Sequence, residues 1–109
     1  MKTSELSGAA LDWAVTKCEG YSHDIEPTGE WGLWGWATDW GQGGPIIERE
    51  EIVLINPTFH HFCTEYPWLA WKDEVYGDGE TPLIAAMRCY VASVLGNEVE
   101  LPKEISNVA

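Results

Sequence analysis

The chain predicts an α+β domain in which a small, mainly antiparallel sheet packs against two helices, at about 8–19 and 82–95. Two apolar stripes at helical spacing lie near its ends, and an all-apolar run, Ile52-Val53-Leu54-Ile55, is closed by Asn56-Pro57 between them. The length of 109 residues allows one domain with a modest core, and an apolar content of 45% excludes a disordered chain.

The first helix is set by Ser7 as its N-cap and Gly20 as its stop, with Leu11, Ala14, Val15 and Cys18 facing inward. Trp13 projects from the other side, as a partner contact or a lid over the next segment. A polar loop with Pro27 runs from Tyr21 to Gly29. From Glu30 to Trp36, large residues alternate with glycine, which suggests a strand or hairpin edge with one aromatic face. That bare face leaves room for a flat ligand or for a packed helix.

The stretch from Thr38 to Arg49 is the expected organising feature. Gly41, Gly43 and Gly44 precede Pro45, a pattern that predicts a sharp bend entering a helical turn with Pro45 in its first positions. Backbone N–H groups at such a bend suit an anionic oxygen, although a tight structural turn between two strands explains the same residues. It matches neither phosphate-loop fingerprint.

The run at 52–55, apolar throughout, reads as a central strand. An irregular link follows over 58–67, and Trp68-Leu69-Ala70-Trp71 with Lys72 reads as another strand. Gly77-Asp78-Gly79-Glu80 reads as a loop, leading to Thr81 as N-cap and Pro82 as first residue of a helix that ends before Gly96. Arg88 falls at the margin of that helix's apolar face, its stem covered and its head directed to a carboxylate or a bound anion. The tail from about Asn97 is expected to be loosely held.

Composition excludes several functions. Six Lys and Arg against eighteen Asp and Glu give a net charge of −12, which repels nucleic acid and anionic membranes. The three cysteines do not form a disulfide framework, no run approaches a membrane span, and the N-terminus lacks a signal peptide's apolar stretch; a cytoplasmic location is expected. Seven tryptophans fill a core, cover a subunit interface or line a concave site. His60-His61-x-Cys63-x-Glu65 collects metal-ligand types without a structural-zinc spacing or a second half-site, so no metal and no cofactor are assigned. Cys18 and Cys89 fall on helix positions where buried thiols are inert packing residues, which leaves Cys63 beside those histidines as the candidate nucleophile; no catalytic residue is expected.

Ser4-Glu5-Leu6 with Gly8, Leu11-Asp12-Trp13-Ala14-Val15, Thr38 through Glu50, and Thr81 through Val91 followed by Gly96 together resemble the NinX-like family of small phage and prophage proteins. The resemblance spans Ser4 to about Glu100. It implies a phage accessory product acting in the bacterial cytoplasm, not a virion part, and it implies no catalysis.

By analogy with phage proteins that counter host defence, the favoured reading is non-enzymatic sequestration of a nucleotide-derived immune signal, such as a cyclic ADP-ribose isomer or a cyclic dinucleotide. Flat rings, phosphate donors and a ribose-binding carboxylate are then sought among Trp34, Trp36, Asp39, Trp40, Gly43, Gly44, Pro45, Ile46, Glu48, Arg49, Thr81 and Arg88. The expected cavity lies beside the Gly43-Gly44-Pro45 turn, and a homo-oligomer is expected. The competing reading is a protein–protein inhibitor or adaptor whose acidic, Trp-rich surface docks on a host protein.

Overall fold

The computed structural model describes residues 1–20, 35–55 and 68–101. A short 3-10 turn, Thr3–Glu5, precedes helix α1 (Gly8–Cys18), helix α2 (Trp40–Arg49), strands β1 (Val53–Ile55), β2 (Trp68–Lys72) and β3 (Val75–Gly79), and helix α3 (Pro82–Leu95). The strands form one antiparallel sheet in the order β1-β2-β3. The fold class is thus the expected α+β arrangement.

Helix α3 is the spine. Its apolar residues surround it almost completely, and Leu83, Ala85, Ala86, Met87, Cys89 and Val91 are all buried. A helix apolar on every side must be covered on every side. The sheet covers one flank, while α1 and α2 cover others. Its start is fixed by Thr81, whose Oγ1 accepts from the Ile84 N–H at 3.1 Å, with Pro82 just inside. Thr81→Ala should lower stability by about 1 kcal/mol, read from the urea midpoint at unchanged slope.

Sheet and helix approach more closely than side chains normally permit. A Cβ on Gly77 would stand 2.5 Å from the Cys89 backbone nitrogen and 2.6 Å from the Ala85 carbonyl oxygen; one on Gly79 would stand 2.7 Å from the Ala85 nitrogen. Strand β3 therefore lies backbone to backbone on α3. The expected loop over 77–80 is corrected on this ground: glycine here serves close approach, a use that local turn signals do not distinguish.

Other expectations also change. Strand β1 pairs on one side only among the described residues, and β2 is the central strand, so the run at 52–55 is not central. Trp13 belongs to the core at 4% exposure rather than to an outward face. The Gly-Gly-Pro stretch is neither a bend nor an interstrand turn, because Gly43, Gly44 and Pro45 all lie inside α2. The tail after α3 is held as far as Val99. Thr3 N donates to Asn97 O, Lys2 bridges Glu98, and Met1 and Val99 exchange N–H to carbonyl bonds of 2.9 Å. The chain's first residues thereby close over one end of α3.

Candidate functional site

Most of the expected site residues lie on or beside α2. Asp39 is the N-cap of that helix, its Oδ1 accepting from Gly41 N at 2.8 Å. A capped start removes the need for a first-turn proline, and Pro45 instead sits five residues inside. Helix propensity opposes Gly and Pro at these positions; burial decides otherwise. Ile46 is 1% exposed, and a Cβ on Gly43 would lie 2.3 Å from the Trp36 carbonyl and 2.7 Å from Leu83 Cδ1. The expected hollow beside Gly43 is filled by Trp36 and Leu83.

Trp36 is likewise committed to the fold. It lies in a turn, not on a strand, and its indole N–H donates at 2.9 Å to Thr16 Oγ1, which itself donates to the Asp12 carbonyl. Asp12 Oδ1 accepts from Ala37 N at 3.1 Å, so one turn of α1 latches residues 36–37. Burial pushes the Asp12 carboxyl up to about 6, an effect the Ala37 N–H partly offsets. The sign follows. A carboxyl raised in the folded state binds its proton more tightly there, so the folded protein loses stability as pH rises from about 4 through about 6. Asp12→Asn retains an acceptor without the charge. Its Tm should exceed that of the parent at pH 8, with the difference shrinking toward pH 4.

Arg49 joins three helices. Its guanidinium donates to both Glu19 oxygens, at 3.1 and 2.6 Å, to Glu50 Oε2 at 2.8 Å and to the Tyr90 hydroxyl at 3.1 Å. The Arg49 hydrogen bonds hold the Glu19 carboxyl below the usual range. These bonds tie α1 to α2 and α3. Trp40, 52% exposed, lies over Gly44 on the outer side of α2, where Pro45 and Glu48 are also exposed. Thr81 is occupied as the α3 cap. Trp34 and the His60-His61-x-Cys63-x-Glu65 group fall outside the described residues.

Among the described residues expected at the site, Arg88 is the one that lines this protein's cleft. This hollow of about 360 Å³ lies between the N-terminal segment, the residues after α3 and the β2–β3 hairpin. Its walls include Lys2, Thr3, Tyr76, Asp78, Arg88 and Glu98. Arg88 is 5% exposed, with Nε donating to Leu6 O at 2.7 Å and Nη1 to Asp78 O at 2.8 Å. Both of these acceptors are neutral carbonyl oxygens, and they fix the orientation of the guanidinium. The close approach of β3 to α3 brings the Asp78 carbonyl within its reach. Tyr76 is half exposed, its ring tilted against Trp71 with centroids 5.3 Å apart.

Lys2, Thr3, Tyr76, Asp78 and Glu98 carried no local signal of a site. They converge only because the two ends of the described chain pair with each other. Neither described thiol offers a nucleophile: burial pushes Cys18 up to about 12 and Cys89 up to about 11, which keeps both protonated near neutral pH.

The model of the family described as bacteriophage P22, NinX, matches residues 2–94, spanning the closing N-terminal segment, the sheet and nearly all of α3. The chain belongs to the NinX family of phage proteins. No curated protein matches it. Among the described residues of this NinX-family chain, no helix is long and apolar enough to cross a membrane. The family match covers the cleft lining except for Asn97 and Glu98.

Proposed function

We propose that this phage NinX-family protein captures a small nucleotide-derived host immune signal without chemical conversion, in the host cytoplasm, and so counters host defence. The class of signal is a cyclic ADP-ribose isomer or a cyclic dinucleotide. Its seat is the cleft at Arg88, not the α2 glycines. The observation that carries this reading is an arginine 95% shielded from solvent, anchored by two carbonyls at the wall of a ligand-sized hollow. Its surroundings supply the complementary groups: an exposed tyrosine ring for a base, a second cation in Lys2, and the acids Asp78 and Glu98 for ribose hydroxyls. A volume of about 360 Å³ stands at the lower end of the range of small-molecule sites.

Capture requires affinity and an intact product. The protein is to be mixed with cyclic di-AMP or cyclic ADP-ribose, separated from free ligand, heated, and the released molecule identified by mass. Recovery of the unchanged nucleotide is the expected result, with Tm rising by several degrees at a hundredfold excess over Kd. Hydrolysed product would make the protein an enzyme, and no retained nucleotide would favour docking on a host protein. The half-exposed Trp40 on α2 is the feature such docking would use.

A further inference from the structure

The charges around the cleft narrow the ligand further, on the premise that the cleft is the seat of capture. Among the described residues, its lining carries two cations, Lys2 and Arg88, and two acids, Asp78 and Glu98. The lining is therefore neutral, in a chain whose net charge is −12. A bound anion is attracted at contact by the guanidinium, and the neutral lining leaves no excess positive charge for a second negative charge. Beyond that lining lies an acidic molecule, whose field penalises each added charge. Size sets a second limit. The hollow of about 360 Å³ accommodates one base, sugar and phosphate, with the ring against Tyr76.

We infer that the cleft seats one nucleotide unit carrying an isolated phosphodiester, of charge −1, and discriminates against a pyrophosphate, whose two adjoining phosphates bring −2. Of the two signal classes above, this selects the cyclic dinucleotide. One of its halves enters the cleft while the other stays outside. Arg88, its fork held by the Leu6 and Asp78 carbonyls, attracts the diester through its fixed positive charge, and Lys2 adds charge from the rim. Asp78 and Glu98 accept from sugar hydroxyls or base amines, and their negative charge is what rejects the second phosphate.

Equilibrium dialysis tests this with cyclic di-AMP and 3′,5′-cyclic AMP as diesters, against cyclic ADP-ribose and ADP-ribose as pyrophosphates, at fixed salt. The diesters should bind at least tenfold more tightly. Lys2→Glu and Tyr76→Ala, both at exposed positions, should each weaken diester binding roughly tenfold while leaving Tm nearly unchanged. Glu98→Gln, alone and with Asp78→Asn, should improve pyrophosphate binding more than diester binding, closing the gap. Pyrophosphates that bind equally or better, yet are lost in Lys2→Glu, would overturn the diester assignment and leave capture in this cleft standing. Failure of all four ligands to bind, or binding indifferent to both Lys2→Glu and Tyr76→Ala, would remove the cleft as the seat and this inference with it.

Discussion

Gly77→Ala should destabilise the domain by roughly 3 kcal/mol or more, lowering Tm by on the order of 10–20 °C. The methyl group would meet the Cys89 nitrogen at 2.5 Å and the Ala85 carbonyl at 2.6 Å, and neither atom belongs to a side chain that can rotate away. Relief requires β3 to lift from α3. Because β3 carries both Tyr76 and Asp78, the same displacement should open the cleft and abolish ligand retention. Circular dichroism melts of Gly77→Ala beside Gly44→Ala provide the comparison, since a Cβ on Gly44 meets only a Trp40 ring carbon at 4.0 Å. A small loss at position 77 would mean that the sheet rests on α3 less tightly than the geometry requires.

Arg88→Leu is expected to have the second large effect, by a different mechanism. Leucine keeps an apolar stem against α3's neighbours but withdraws donors from the carbonyls of Leu6 and Asp78. The buried Leu6 carbonyl left without this partner costs about 1–3 kcal/mol, and the part-buried Asp78 carbonyl, which water can reach, costs less, so a loss of roughly 2–4 kcal/mol follows. Arg88→Lys should fall between, because a single ammonium cannot reproduce a planar fork directed at two carbonyls. Urea unfolding followed by tryptophan fluorescence resolves the series. If Arg88→Leu unfolds at the parent's midpoint, the arginine does not join the N-terminal segment to β3.

Much of this architecture is legible locally. Thr81-Pro82 and the apolar stripe behind them define α3, the stripe from Leu11 to Cys18 defines α1, and Trp68 to Lys72 reads as a strand. Two of the stretches that escape local reading share one cause, which is glycine placed for packing. Gly43 is buried within α2 against Trp36 and Leu83, and Gly77 and Gly79 let β3 touch the α3 backbone. In sequence, both groups carry the signature of turns. The spacing of α3 places Arg88 correctly at the margin of an apolar face, but its partners are main-chain oxygens from residues 6 and 78, which no composition or pattern identifies. The cleft depends on that same long-range closure. Residues 2–4 meet residues 76–78 and 97–98 only after the chain has folded.

Capture under the N-terminal segment and capture at the glycines of α2 differ in which amides the ligand perturbs, and amide chemical shifts measure that difference directly. On titrating the ¹⁵N-labelled protein with cyclic di-AMP, the largest changes should fall on Thr3, Tyr76, Asp78 and Asn97, with Gly43 and Gly44 nearly still. Changes concentrated between Asp39 and Arg49, or none anywhere at saturating ligand, would contradict capture under the N-terminal segment.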